Sequence, residues 1–122
     1  MAFRPELLVD RSVSGVAVFE LLGDHDMATA TELRAALDEA LEDDHGIVVD
    51  LSETQFIDSS VVHALYHAEE QLVRRGRRLA LQIKTASIVV RALEVSNLSE
   101  AVTIAHERQE AIGIASEQRG VA

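Results

Sequence analysis

Asp58, Ser59 and Ser60 follow Phe56-Ile57, where a strand-like pattern gives way to a helical one. A helix N-terminus presents N–H groups without intrahelical acceptors and carries partial positive charge. A hydroxyl placed there, once phosphorylated, would hold its dianion where those groups receive it. The plainer role is capping: Ser59 or Ser60 accepts from a first-turn N–H, worth about 1 kcal/mol. The two roles are compatible, because a cap hydroxyl can also be a phosphoacceptor.

Other chemistries are less well supplied. Ser59 lacks the Gly-x-Ser-x-Gly elbow of an exposed nucleophile, and no motif offers a base with an orienting acid. His63 and His67 share a helix face at i,i+4, but Ala64 follows His63 where a zinc protease carries its catalytic Glu. Asp24-His25-Asp26 could ligate a divalent ion weakly, although turn formation is the commoner use of Asp. No Gly-rich phosphate loop occurs. Arg74, Arg75, Arg77 and Arg78 form the dense basic cluster of the sequence. Their place at a helix C-terminus complements the dipole, and docking of an acidic partner is the second reading.

These residues need elements to position them. Leu7-Leu8-Val9 and Val16 to Leu22 flank Ser14-Gly15 and predict a β-hairpin. Thr29 to Glu32 fits a capping box, and Leu33, Ala36, Leu37, Ala40 and Leu41 then mark an amphipathic helix stopped by His45-Gly46. Its outward face carries Asp38, Glu39, Glu42, Asp43 and Asp44, read as a solvated surface. Ile47 to Leu51 is a strand, and Val61, Leu65, Ala68 and Leu72 mark a helix ending at Gly76. Leu79 to Ile83 is a strand, Ser87 caps a short helix that stops near Asn97, Ala101 to Ala105 is a strand, and a helix follows from Glu107. The order β-β-α-β-α-β-α-β-α is that of an α/β layered domain with a mostly parallel sheet.

Composition bounds the function. The 122 residues include 11 Lys+Arg and 21 Asp+Glu, a formal charge of −10, with 48% hydrophobic residues and no Cys. A chain this apolar can bury enough surface to fold, and its length suits one domain across 1–122 with an ordered core near 6–117. Without cysteine there is no disulfide, zinc-thiolate site or thiol nucleophile. The negative charge disfavours nucleic acid as a partner. The apolar run after Met1 is broken by Asp10 and Arg11, too short for a signal core or a membrane span, so a cytoplasmic location is expected.

Ile47-Val48-Val49-Asp50-Leu51-Ser52 through Phe56-Ile57-Asp58-Ser59-Ser60 resembles the signature of STAS domains, especially the small bacterial anti-sigma-factor antagonists. Gly23-Asp24-His25-Asp26 is similar to that family's Gly-x-x-Asp turn. Arg77 to Leu81 and Ser87 to Leu93 fit its next strand and helix, so the likeness covers nearly the whole chain. It implies a single STAS-like α/β domain with a four- to five-stranded mixed sheet and about four helices. It also implies a non-enzymatic partner switch, without cofactor or metal, that binds an anti-sigma factor which is itself a serine kinase. Phosphorylation would fall on Ser59, with Ser60 as second candidate, and a serine phosphatase would reverse it. Asp24, Asp26, Asp58, Ser59, Ser60, Val61, Val62 and His63 would meet the partner. The family commonly continues with Gly-Leu-Gly where this chain has Val61-Val62-His63, so a β-branched side chain is expected to crowd Ser59. The alternative is an unphosphorylated accessory or scaffold module of a lipid-transport or signalling complex.

Overall fold

The computed structural model describes residues 3–85 and 87–118. Its order is β1 (Glu6–Asp10), β2 (Val16–His25), α1 (Met27–Glu42), β3 (Gly46–Asp50), β4 (Thr54–Ile57), α2 (Ser59–Arg74), β5 (Leu79–Gln82), α3 (Val89–Val95), α4 (Leu98–Ala101), β6 (Thr103–Ala105) and α5 (Arg108–Ser116). The sheet runs β1-β2-β3-β5-β6, with β4 alongside β2. Only the β1–β2 hairpin pair is antiparallel among the described strands, so the sheet is mixed.

Alternation along the strands divides the core in two. Phe19, Leu21, Val49, Leu51 and Leu81 face one way and pack with Leu33, Leu37, Leu65, Leu72 and Leu93 of α1, α2 and α3. Val18, Val48, Ala80 and Ala105 face the other way and meet Ala111 and Ala115 of α5. A sheet covered on both faces needs apolar residues at successive positions, and all five residues of β3 are buried. The small side chains under α5 let it lie close: a Cβ on Gly46 would overlap the Ala115 carbonyl.

The expected order holds, with two short elements added. The sheet has a further strand, β4, and a single turn of helix, α4, precedes β6, so Ala101 belongs to α4 and the last strand begins at Thr103. The α1 boundaries also differ from expectation. Asp26, not Thr29, is the N-cap: its carboxylate accepts from Ala28 N–H at 3.0 Å, and the Thr29 hydroxyl accepts from Asp26 N–H at 3.1 Å. Asp caps at least as well as Thr, and this reciprocal pair starts the helix three residues earlier. At the other end Asp44, with φ 57°, makes the left-handed stop that His45-Gly46 was expected to make. Gly46 is left to the strand, where α5 requires its missing side chain.

Candidate functional site

The site forms where β4 runs beside the end of β2. The parallel register sets Asp24 against Phe56 and His25 against Ile57, after an irregularity between Gly23 and Asp24. Asp58 N–H donates to the His25 carbonyl at 3.2 Å. The segment expected to be a turn, Gly23 to His25, is thus strand, and it carries Asp26 to the start of α1 just as Asp58 reaches the start of α2.

Asp58 is the α2 N-cap, and one carboxylate oxygen accepts the N–H groups of Ser60 at 3.0 Å and Val61 at 3.3 Å. The same oxygen accepts the Ser60 hydroxyl in a short contact. Partial burial pushes the Asp58 carboxyl up. The Ser60 hydroxyl and the N–H groups of Val61, Ser60 and Met27 outweigh that and hold it below the ordinary carboxylate value. The cap is therefore Asp58 itself, in place of either serine.

This arrangement separates the two serines. Ser60 is half-buried with its hydroxyl committed to Asp58. Ser59 is exposed, and its hydroxyl has no hydrogen-bond partner among the described residues. Asp26 and His63 are also exposed, whereas Asp24 is half-buried and structural: it accepts Phe3 N–H at 3.0 Å and gives its own N–H to the Phe3 carbonyl at 3.0 Å. Gly23 allows that crossing, since its φ of 81° is left-handed and a Cβ there would overlap the Arg4 carbonyl. Val62 is buried, and Val61 lies fully within the core. Crowding of Ser59 by Val61 is thus corrected: helix geometry turns that side chain inward, away from the exposed face.

The Asp24-His25-Asp26 triplet does not converge on an ion. His25 is 2% exposed, and its ring nitrogens lie 3.1 Å from the Thr29 hydroxyl and 3.0 Å from the Leu22 carbonyl. His67 lies 3.7 Å from Asp38 across α1 and α2. No group of three His, Asp or Glu side chains among the described residues is placed to hold a metal. The arginine cluster is likewise dispersed. Arg74 pairs with Glu70, Arg75 reaches the Leu41 carbonyl, Arg77 faces Asp44, and Arg78 donates to the Thr103 hydroxyl.

Sequence reasoning missed the apolar surroundings of Ser59. A groove of about 430 Å³ between α2 and α3 is lined by Ser59, Val62, His63, Tyr66 and Val95, among others. Met27 is 72% exposed, Phe56 51% and Val95 74%. Strand or helix patterns mark apolar residues without saying which remain uncovered, so no local signal distinguished these three.

The sequence matches the family described as Mlab, STAS domain, over residues 9–106. This chain belongs to the STAS-domain family. No curated protein matches it. Among solved structures, an anti-sigma factor antagonist from Mycobacterium paratuberculosis is 22% identical, with a TM-score of 0.79 over 93% of this chain and 96% of that one. The anti-sigma factor antagonist SpoIIAA in its unphosphorylated form is 19% identical, with a TM-score of 0.70 over 86% of this chain and 92% of that one. The Bacillus cell fate determinant SpoIIAA in its phosphorylated form is 21% identical, with a TM-score of 0.68 over 88% and 97%. At these identities the likeness establishes the STAS fold, and the expected α/β architecture stands. Among the described residues no helix is long and apolar enough to cross a membrane.

Proposed function

We propose that this STAS domain is a non-enzymatic, cytoplasmic anti-sigma-factor antagonist whose binding is switched off when a kinase-type anti-sigma factor phosphorylates Ser59. A serine phosphatase would restore it. The observation that carries this reading is the difference between the serines: Ser59 is exposed, with no partner for its hydroxyl among the described residues, while Ser60 gives its hydroxyl to Asp58. Val95 lines the same groove as Ser59, and the exposed Met27, at the start of α1, and Phe56, on β4, add apolar surface for a partner. A phosphate would add about −1.5 to −2 charges beside Asp58 and Asp26. An interface losing about 2.7 kcal/mol in this way weakens roughly a hundredfold.

The test is incubation with the cognate kinase and ATP, read by intact mass. One added phosphate is expected on the wild type and none on Ser59→Ala. Equal phosphorylation of Ser59→Ala would reject the assignment and direct attention to Ser60. The exposed apolar side chains also suit constitutive docking, as in an accessory module of a lipid-transport or signalling complex. A partner complex unaffected by Ser59→Asp would favour that second reading.

A further inference from the structure

His63 is the residue at the site whose presence the switch leaves unexplained. It lies four positions after Ser59 on α2, so the two side chains rise from the same helix face. Both are exposed, and both line the groove between α2 and α3. His63 also borders the adjoining cavity of about 330 Å³ between α1 and α2, together with Arg34, Thr31 and Ser60. The imidazole thus stands beside the proposed phosphoacceptor, with a guanidinium facing the same cavity from the neighbouring helix.

We propose that His63 is a positioning residue for the phosphorylated state: as an imidazolium it pairs with the phosphate on Ser59, within one turn of the same helix. This rests on the assignment of Ser59 above.

The other charged groups facing this region do not duplicate the role. From α2, Asp58 faces the first turn and is occupied with Ser60 and Val61. His67 is a turn further on and faces Asp38. From α1, Arg34 borders the α1–α2 cavity but does not line the α2–α3 groove, and it is 4.0 Å from Asp38. Asp26, which caps α1, adds negative charge and opposes accumulation of further anions. From α3 the groove is lined by Ala92, Val95 and Ser96, and from β4 by Ile57, none of which is charged. His63 is therefore the cation-forming group that shares the groove with Ser59.

The experiment installs phosphoserine directly at position 59 by genetic encoding and follows its ³¹P resonance against pH. A neighbouring cation favours the dianion, so the phosphate midpoint is expected to lie lower in wild type than in His63→Gln. The expected difference is about half a pH unit, the scale of an exposed i,i+4 pair carrying a doubly charged anion. Raising the salt should close that gap, and His67→Gln should leave the midpoint where it is. Equal midpoints in wild type and His63→Gln would overturn the pairing. Direct installation separates this result from the switch itself: a shifted midpoint in a protein that no kinase phosphorylates would support the pairing and reject the switch.

Discussion

Asp26 and Asp58 occupy equivalent positions at the starts of two adjacent helices, each accepting from the backbone of the turn it opens. Around Asp58 the accounting is close to complete, because the Ser60 hydroxyl and several N–H groups converge on one carboxylate. Removing the carboxylate in Asp58→Ala should destabilise the protein by about 1 kcal/mol at neutral pH, a typical cost of a lost N-cap. The direction with pH follows from the depressed carboxyl. Its stabilisation is fully present above the unfolded-state value and is lost as pH falls through the lower folded-state value. The deficit of Asp58→Ala, measured by urea denaturation, should therefore narrow below about pH 4. Among the neighbours, Ser60→Ala should cost about 1 kcal/mol through its lost hydrogen bond, while Ser59→Ala should stay within about 0.5 kcal/mol of wild type. A deficit for Ser59→Ala as large as that for Ser60→Ala would show that the two hydroxyls have been assigned the wrong way round. The Asp-Ser-Ser motif is legible from residue types and spacing. The division of labour inside it is not, because spacing alone does not reveal which hydroxyl turns back to the cap.

At the scale of elements, the order was readable, and the two short elements β4 and α4 were not. The α2 pattern Val61, Leu65, Ala68, Leu72 and the β3 run from Ile47 carry enough apolar positions to define an element unaided. β4 has four residues, with only Thr54 and Ile57 buried, and it exists because β2 runs on past Leu22 to pair with it. That pairing is a tertiary contact with little local signature, yet it sets Asp24 and His25 beside the switch segment. Side chains also join elements in ways periodicity cannot show. Arg108, at the start of α5, reaches Asp50 at 2.6 Å and Glu20 at 3.1 Å, and donates to Gln82 at 2.9 Å. Glu69, buried on α2, accepts the Leu79 N–H at 2.9 Å and so ties that helix to the first residue of β5. Burial pushes the Glu69 carboxyl up, and the Leu79 N–H and Arg78 offset this only in part. A raised folded-state value means that stability is fully present below the ordinary glutamate range and is lost as pH rises through the shifted one. Glu69→Gln keeps an oxygen acceptor and removes the ionisation. It should match wild type near pH 4 and exceed it near pH 8, as read by thermal melts across that range. A variant less stable than wild type at pH 8 would mean that the charge strengthens the bond to Leu79 by more than its burial costs.

Over the whole molecule, the charge of −10 is unevenly used. The four arginines that look like a patch in sequence are dispersed among Glu70, the Leu41 carbonyl, Asp44 and Thr103. Exposed apolar side chains such as Met27, Phe56 and Val95 remain for a partner, with Met27 next to the exposed Asp26. These features act on different parts of association. Long-range attraction between an acidic surface and a basic partner speeds encounter and is screened by salt, whereas apolar contact mainly governs how long the complex lasts. With the anti-sigma factor proposed above as partner, raising the salt from about 50 to 500 mM should slow association by about tenfold and change dissociation little. Phe56→Ala should do the reverse, speeding dissociation by about tenfold while leaving association intact. Phe56 is 51% exposed, so its truncation removes little core packing, and an unchanged melting temperature would confirm that the fold is not the cause. Stopped-flow measurements on the unphosphorylated chain resolve both rates. If salt accelerates dissociation and Phe56→Ala leaves it unchanged, charge rather than apolar contact holds the complex together, and Phe56 is not part of the docking surface.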